Sequence, residues 1–541
     1  MRGPKWLKEA VFYNIYPQSY YDTNGDGIGD LRGIYEKLDY IHDMGFNALW
    51  LNPFYESPFN DAGYDITDYY KVAPRYGTMD DFKELCKKAH SLGIKVCIDF
   101  VGGHTSMECE WFKESAKAEK NKYTNRYIWT DDWLKFPKAT FVNGYGERNA
   151  ALQTNFFYTQ PALNYGHAVI DDPAWQLPVD HPDCQETKAE LYRILDFWIQ
   201  AGCDGYRVDL ASGYVKNDPD GSANRAFWNE IRAVFDKKYP ESVLIAEWGQ
   251  PEMALRAGYH IDMLTHDFHP AYTKLLRADK DRDIVPSNDP NSCFEDYHGH
   301  SYFDSEGKGN FAEFLDDYSV FAKDTKEIGY ISIPSGNHDL PRVSLGRTQE
   351  DLKLIFAFLL TMPGIPLIYY GDEIGMRYRA DVVSKEGGYR RTGSRTPMQW
   401  TSGKNLGFSE GREEDLYLPI DKSEDAPNVE AQLADKNSLI HTVRKLIRLR
   451  KQAPVLWTDG EVEFYNHENG GYPLIYTRTY GDETYLICIN VKGKPMTFDF
   501  TKTILPIEPK VYQVLMQNKD VFLEEGVLHM PEVSFMIAKK L

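Results

Sequence analysis

The chain has 541 residues, of which 42% are hydrophobic, and a formal net charge of −20. This length exceeds that of one simple domain, so we expect a large main domain with one or two attached domains. The acidic balance disfavours nucleic acid and anionic membranes as partners, because both are polyanions.

Short apolar runs alternate with amphipathic segments as far as about residue 370. Near-continuous apolar strands separated by helical patterns are typical of a parallel sheet that is buried on both faces. Eight such runs therefore predict an α/β fold, a closed (β/α)8 TIM barrel. The runs begin near Val11, Ala48, Ile94, Gly205, Ser242, Ile261, Gly329 and Ile365, and the sixth gives the weakest signal.

An insertion separates the third predicted strand from the fourth, and it is far longer than the usual βα loop of about 2–6 residues. Its first part is rich in polar and aromatic residues without helical spacing, which predicts a subdomain at 102–171. Glu186 to Ala201 then has the spacing of a helix. The barrel would comprise 1–101 and 172–454, and the alternating strands of 455–541 predict a C-terminal all-β sandwich domain.

The N-terminal sequence MRGPKWLKEAVFY lacks the apolar core of a signal peptide. The most apolar stretch, Leu354 to Tyr370, is broken by two prolines and a glycine, which favours a helix and a buried strand over a membrane span. The seven scattered cysteines form no CxxC pair and no Cys/His cluster, which predicts reduced thiols. We therefore expect a cytoplasmic protein, and its oligomeric state stays open.

Polar residues at the carboxyl ends of barrel strands face the active site in folds of this kind. Converging carboxylates without a histidine-rich metal cluster fit glycoside hydrolysis, which needs an ionised nucleophile beside a protonated acid. Arg207 lies two residues before Asp209, so both side chains leave the strand on one face and the cation is expected to keep Asp209 ionised. Glu247, at the end of the fifth strand, is then the better proton donor.

The sequences around these residues resemble motifs of the α-amylase superfamily (glycoside hydrolase family 13). The resemblance covers nearly the whole chain. The similarity of GYRVDL to the family's nucleophile motif implies that Asp209 is the nucleophile and Arg207 its companion. IAEWG resembles the acid/base motif and assigns that role to Glu247. SGNHDLPR resembles the motif that holds the transition-state stabiliser, here Asp339, beside His338.

Further motifs of the same family imply substrate-binding residues. DFVGGHTS resembles the strand-three motif, with Asp99 and His104. SPFNDAGYD resembles a loop in which a tyrosine, here Tyr64, stacks under the first sugar ring and its neighbour Asp61 binds the outermost hydroxyls. RTPMQW, with Arg395, is typical of the oligo-1,6-glucosidase branch and its relatives.

The resemblance implies a retaining, exo-acting α-glucosidase that releases glucose from short α-1,6 or α-1,4 oligosaccharides through a glucosyl-enzyme. A trehalose synthase or sucrose isomerase is the alternative, because the same residues transfer the glucosyl group when water is excluded. A non-catalytic scaffold relative is a third reading, but such relatives have a membrane anchor and lose the carboxylates that this chain retains. The partner would be a small oligosaccharide or disaccharide, with no organic cofactor.

Three positions depart from the better-known branches of the family. Gly103 stands where an asparagine usually precedes the strand-three histidine, and Ala162 replaces the aspartate of the QPDLN signature. Leu210, directly after the predicted nucleophile, matches neither the α-1,6 nor the α-1,4 pattern. The preferred linkage therefore stays open.

The N-terminal loop DTNGDGIGD is a second signal. Asp22, Asn24, Asp26 and Asp30 alternate, and the Ile28 carbonyl is available as a ligand. Hard oxygen ligands at this spacing suit Ca²⁺, as in the first half of an EF-hand loop. An Asx/Gly-rich turn without metal is the alternative. Because the same loop binds calcium in several members of the family it resembles, we expect a structural calcium site.

Overall fold

The computed structural model describes residues 2–137, 139–264, 270–277, 300–386, 389–466, 470–502 and 512–541. Within these ranges the strands are, in chain order, β1 Phe12–Ile15, β2 Ala48–Leu51, β3 Tyr55–Glu56, β4 Asp68–Val72, β5 Lys95–Phe100, β6 Phe141–Asn143, β7 Ala151–Gln153, β8 Gly205–Val208, β9 Val243–Ala246, β10 Ile261–Met263, β11 Tyr330–Ser332, β12 Leu367–Tyr369, β13 Glu461–Phe464, β14 Leu474–Tyr480, β15 Glu483–Asn490, β16 Met496–Asp499, β17 Tyr512–Gln517, β18 Phe522–Glu524, β19 Val527–Met530 and β20 Ser534–Lys540. The α-helices are α1 Leu31–Met44, α2 Met79–Ser91, α3 Glu110–Ser115, α4 Pro182–Ala201, α5 Ser222–Lys238, α6 Pro251–Arg256, α7 Pro270–Leu276, α8 Phe311–Thr325, α9 Gln349–Thr361, α10 Val429–Ala434 and α11 Leu439–Gln452.

A parallel sheet of eight strands forms the (β/α)8 barrel, in the order β11-β10-β9-β8-β5-β2-β1-β12. The two ends of this order meet through a bridge between Pro334 and Leu367, where Ser335 N–H donates to Leu367 O at 2.8 Å. Each of the eight predicted apolar runs contains one of these strands, which confirms the predicted barrel. The sixth run contains β10, and its last residues, from 265 on, lie outside the described ranges.

The barrel strands are apolar on both faces. Alternate residues from strands around the ring form one interior cluster, while their sequence neighbours join the large core against the helices. This two-sided burial explains why the runs are near-continuous and do not alternate. The interior cluster includes Phe12, Ala48, Trp50, Cys97, Val243, Ile245, Ile261, Met263, Tyr330 and Leu367.

The predicted insertion contains a short helix, α3, and the antiparallel pair β6–β7. It is joined to the barrel near the end of β5, where Tyr165 Oη donates to Gly102 O at 2.6 Å. The helix before β8 begins at Pro182, earlier than the predicted Glu186. Proline suits the first helical turn because its missing N–H is not needed there, and the His181 side chain accepts from Asp183 N at 3.2 Å.

Two sheets lie beyond α11, one with the order β13-β14-β15-β20-β17 and one with the order β16-β19-β18. An apolar cluster that includes Ile475, Cys488, Leu528 and Met536 draws on both sheets, as in a sandwich. All six predicted strands of this region are present. Sequence analysis missed the short strands β18 and β19, and the proposed division at 454–455 falls between α11 and β13.

Two buried arginines bind backbone carbonyls where the sandwich packs against the barrel. Arg450 donates to the carbonyls of Leu360, Met362 and Gly364 at 3.0, 2.9 and 2.6 Å. Arg478 donates to carbonyls on both sides of this junction, among them those of Thr361, Trp457 and Gly460.

Among the described residues no helix is both long and apolar enough to cross a membrane. Six cysteines are free and buried, and Cys293 lies outside the described ranges. The six are Cys86, Cys97, Cys109, Cys184, Cys203 and Cys488.

Glu373, just after β12, is a buried carboxyl in the barrel wall. Its Oε1 accepts hydrogen bonds from Tyr13 Oη at 2.7 Å and from Tyr40 Oη at 2.8 Å, and its Oε2 has no partner among the described residues. Burial raises the pKa of Glu373 from 4.5 to about 7. The folded protein therefore holds a proton at Glu373 that the unfolded chain releases at lower pH.

Glu373→Gln should change how stability depends on pH. A raised pKa in the folded state favours folding fully below pH 4.5, and this contribution is lost as the pH rises to about 7, at a cost of about 3 kcal/mol. We expect the variant and the wild type to unfold at similar temperatures at pH 5, and the variant to be the more stable at pH 8, in thermal unfolding followed by circular dichroism. Glu414→Gln at an exposed site is the control, and equal shifts for both variants would contradict the assignment.

Candidate active site

The predicted catalytic residues lie together at the carboxyl ends of the barrel strands, at one edge of the barrel. Asp99 and Arg207 lie within β5 and β8, Asp209 and Glu247 come directly after β8 and β9, and Asp339 lies in the loop after β11. Because parallel strands end at the same edge, residues far apart in sequence meet there. The structure brings all five together.

Arg207 is the centre of this group and is fully buried. Its Nη1 lies 2.6 Å from Asp99 Oδ1 and 3.1 Å from Asp209 Oδ1. Its Nη2 contacts Glu247 Oε1. The predicted contact between Arg207 and Asp209 is present, but the same guanidinium also serves Asp99 and Glu247, which sequence analysis did not anticipate.

The sharing of Arg207 affects the protonation of Asp209 and Glu247. Burial raises the pKa of Asp209 well above its ordinary value, and the charge of Glu247 raises it further against the opposing effect of Arg207. Burial also raises the pKa of Glu247, again opposed by Arg207. Because three carboxylates share the single charge of Arg207, this residue does not hold Asp209 ionised by itself. Asp209 and Glu247 therefore compete for the same proton.

Asp339 has a different environment, with several donors of its own. Its Oδ1 lies 2.8 Å from Arg391 Nη1 and 2.9 Å from Arg395 Nη2, and its Oδ2 lies 3.1 Å from His338 Nε2. Burial acts to raise the pKa of Asp339, but His338 and the two guanidinium groups outweigh it and hold that pKa well below its ordinary value. Asp339 therefore stays ionised at neutral pH.

His338 is held in one orientation by its neighbours. Tyr64 stacks on the ring with centroids 5.2 Å apart and planes 9° apart, and Tyr16 also lies parallel to it at 6.1 Å. Asn52 Nδ2 lies 3.0 Å from His338 Nδ1, so Nδ1 accepts and Nε2 carries the hydrogen that faces Asp339. Burial lowers the pKa of His338, so it acts as a neutral donor.

His104 is buried behind Tyr64. Its Nε2 lies 3.0 Å from the backbone oxygen of Tyr64, and burial lowers the pKa of His104 to about 4. Its ring N–H is therefore directed at the protein backbone in this structure. Of the neighbouring departures from the family pattern, Gly103 accepts a 2.7 Å hydrogen bond from Asn155 Nδ2, and Ala162 forms a backbone bridge with His104.

Asp61 lies in the loop between β3 and β4, at the rim of the site. Gln160 Nε2 donates to its Oδ2 at 2.8 Å, and Arg391 Nη2 lies 3.4 Å from its Oδ1. Arg391 also binds the Asp339 carboxylate, so this one side chain connects Asp61 at the rim with Asp339. Tyr64 from the same loop donates to Asp99 Oδ2 at 2.9 Å.

Sequence analysis missed three residues that the structure places in the site: Arg391, Asn52 and Gln160. Asn52 follows β2 directly, so the rule applied to the other strand ends would have found it. Arg391 lies four residues before Arg395 in RRTGSR, but no local pattern distinguishes it from a surface arginine. Gln160 belongs to QPALN, a motif in which the sequence singles out only the alanine that replaces an aspartate.

Leu210 follows the predicted nucleophile with a backbone φ of 44°, in the left-handed region that leucine rarely adopts. This conformation directs its N–H to Glu247 Oε2 at 3.1 Å, while its side chain is 37% exposed. Backbone strain of this kind clusters at functional sites. The departure at position 210 thus lies in direct contact with the predicted proton donor.

The predicted calcium loop has an all-oxygen donor set, which suits a hard cation. Each of its side-chain oxygens already accepts hydrogen bonds inside the protein. Asp22 accepts from the N–H groups of Gly25 and Gly27, Asp26 accepts from Ile28 N–H, and Asp30 caps α1 by accepting from Gly33 N–H at 2.6 Å. Within the described ranges, no three His, Cys, Asp or Glu side chains form a group arranged to hold a metal.

A family profile and the sequences of similar proteins agree on one family. The profile of the alpha-amylase catalytic domain matches residues 14–459. Trehalose synthase/amylase of Mycolicibacterium smegmatis is 33% identical over 90% of this chain and 84% of its own length. Oligo-1,6-glucosidase of Parageobacillus thermoglucosidasius is 31% identical over 95% of both chains.

Similar proteins of known structure superpose on nearly the whole chain. Trehalulose synthase from Pseudomonas mesoacidophila superposes with a TM-score of 0.79 at 26% identity, covering 99% of this chain and 100% of its own. An isomaltulose synthase variant from Erwinia rhapontici, in complex with sucrose, superposes with a TM-score of 0.79 at 27% identity over 99% of both chains.

Proposed function

Because the chain belongs to the alpha-amylase family and is a glycoside hydrolase, we propose that it is a retaining, exo-acting α-glucosidase. Its substrates would be short α-1,6 or α-1,4 glucosides, from which it releases glucose. One observation carries the proposal: a single guanidinium, that of Arg207, contacts both Asp209 and Glu247. An inverting site needs room for a water molecule between its two carboxyl groups, whereas two carboxyl groups held on one guanidinium favour the retaining route.

The proposed reaction divides the work between these two groups. The proton of the pair resides on Glu247 when Asp209 attacks the anomeric carbon, and Glu247 passes it to the departing glycosidic oxygen. The product is a glucosyl ester of Asp209. Glu247, now ionised, then takes a proton from a water molecule that attacks the same carbon and releases glucose.

Asp339 would bind sugar hydroxyls as the ring flattens towards an oxocarbenium ion. It is ionised throughout, since His338, Arg391 and Arg395 together hold its pKa low against the effect of burial. A fixed anion held by preorganised donors needs no rearrangement during the reaction. His338, a neutral donor stacked on Tyr64, would complete the contacts to that ring.

The rim of the site supports exo action on short substrates. Arg391 reaches both Asp339 and Asp61, and Gln160 binds Asp61 from the inserted segment. We propose that these contacts close one side of the site, which would suit a pocket for a terminal glucose unit rather than an open cleft along a chain.

A transfer reaction is the second candidate, and the relatives favour it specifically. One similar protein is named as a trehalose synthase/amylase, and similar structures are those of trehalulose and isomaltulose synthases. The same carboxylates would serve isomerisation if the glucosyl-enzyme meets the released sugar before water.

Substitution of the two central carboxylates should separate their roles. Glu247→Gln should lower kcat on maltose by about 10²–10⁴-fold, since the leaving oxygen is no longer protonated. On p-nitrophenyl α-glucoside the loss in the glucosylation step should be much smaller, because that leaving group needs no proton. Asp209→Asn should lose activity on both substrates.

Asp459→Asn, at the opposite end of the barrel, controls for loss of a carboxylate and should keep wild-type kcat. Wild-type turnover in Asp209→Asn would refute the assignment of the nucleophile. Equal losses for Glu247→Gln on both substrates in single-turnover measurements would refute its role as proton donor.

A panel of maltose, isomaltose, trehalose and sucrose should separate hydrolysis from transfer. We expect glucose as the main product of maltose or isomaltose, measured by chromatography at early times. Conversion of maltose to trehalose, or of sucrose to an isomeric disaccharide, as the main reaction would instead establish the second candidate.

We also propose that the loop from Asp22 to Asp30 binds a structural Ca²⁺ through Asp22, Asn24, Asp26, Asp30 and the Ile28 carbonyl. Calcium at about 100 times its Kd should stabilise the folded state by about 2.7 kcal/mol. Removal of calcium by EGTA should lower the thermal unfolding midpoint of the wild type by several degrees. Asp26→Asn, at an exposed position, should abolish this response, and an identical wild-type midpoint with calcium and with EGTA would disprove the site.

A further inference from the structure

The loop after β11 that carries Asp339 is held mainly by side chains. Within residues 335–341 of this loop, four carbonyls accept hydrogen bonds or close contacts from side chains of other elements. Arg395 Nε donates to His338 O at 2.8 Å, Ser394 Oγ to Leu340 O, and Arg277 to both Ser335 O and Pro341 O. The position of Asp339 therefore depends on donors that come from elsewhere in the chain.

Arg277 occupies a special place among these donors. It follows α7 and is 4% exposed. Its Nε donates to Pro341 O at 2.8 Å and its Nη2 contacts Ser335 O, so one planar group binds the loop at both ends. Nη1 faces Tyr272 Oη at 3.3 Å, and that hydroxyl donates to Pro334 O at 2.5 Å.

The contacts of Arg277 differ in kind from those of the arginines on the rim. Arg391 and Arg395 bind the Asp339 carboxylate directly and so belong to the catalytic group. The hydrogen bonds described for Arg277 go to the backbone and to Tyr272. These contacts with the backbone of the loop give a change at Arg277 a path to Asp339.

We propose that Arg277, supported by Tyr272, is a positioning residue for the reaction: it sets the backbone of the loop 335–341 so that Asp339 meets the sugar in the transition state. The inference rests on the proposed role of Asp339. Guanidinium presents several donors in a rigid plane, whereas lysine presents one ammonium group, so only arginine can bind the two carbonyls in this geometry.

The physical consequence is catalytic as well as structural. Without Arg277 two carbonyls in a buried place lose their donors, and the loop shifts to satisfy them. A displacement of about 1 Å in a reacting group costs about 10²-fold in rate. Since contacts of Asp339 strengthen as the transition state forms, the loss should fall on kcat more than on KM.

The test uses Arg277→Met, Arg277→Lys and Tyr272→Phe in the full chain. Arg450→Met is the matched control, because Arg450 is also buried and also binds several carbonyls of one segment, at the end of α9 and in the turn that follows it. We expect kcat to fall by about 10²-fold in Arg277→Met, less in Arg277→Lys and least in Tyr272→Phe, with KM nearly unchanged. Arg450→Met should lower the thermal midpoint and leave kcat unchanged.

A second readout is the inhibition constant of 1-deoxynojirimycin, a sugar analogue that carries positive charge. It should weaken in step with kcat/KM across the Arg277 series, because both depend on where Asp339 lies. Wild-type kcat in folded Arg277→Met, or a loss no larger than that of Arg450→Met, would overturn the proposal. If Arg277→Met does not fold, Arg277→Lys and Tyr272→Phe decide by the same criteria.

Asp339→Asn distinguishes this inference from the proposed function. If Asp339→Asn retains wild-type turnover, the proposed role of Asp339 fails and the positioning role fails with it. If Asp339→Asn is inactive while the Arg277 variants keep wild-type kcat, only the positioning role fails.

Discussion

One buried cation, Arg207, governs the arrangement at the top of the barrel. Three carboxylates, Asp99, Asp209 and Glu247, approach the same guanidinium. Without that charge their mutual repulsion in a buried place would push them apart or protonate them. The barrel makes the arrangement possible, since neighbouring strands β5, β8 and β9 end side by side. The chemistry proposed for Asp209 and Glu247 follows from their competition for one proton.

Asp339 is also a carboxylate of the catalytic group, but it does not share its positively charged partners with the other carboxylates of that group. It has two guanidinium groups and a histidine N–H of its own, and its pKa is lowered where those of Asp209 and Glu247 are raised. Acid, base and electrostatic roles can be divided among carboxylates when their environments push the pKa values in different directions. The loop that carries Asp339 is held by donors from α7 and from the segment 391–395, so this division depends on distant parts of the chain.

The choice between hydrolysis and transfer lies outside this central machinery. The carboxylates suit either reaction, and what differs is the access of water and of the acceptor sugar. Asp61, Gln160 and Arg391 lie together at the rim of the site, where we propose that such access is controlled. Leu210 contacts Glu247 through its backbone while its side chain is exposed. Relatives with both activities at about 30% identity are consistent with a difference that small.

The sequence by itself determined the barrel and the catalytic candidates, because both depend on local patterns. Buried parallel strands must be apolar on both faces, and polar residues at their ends stand out against that background. The contacts of Arg391 and Arg277, the sharing of Arg207, and the backbone conformation of Leu210 were decided only by the tertiary structure. The local sequence around an arginine is the same whether its side chain is exposed or buried. Its role depends on which distant carbonyl or carboxylate group the folded chain places within hydrogen-bonding distance.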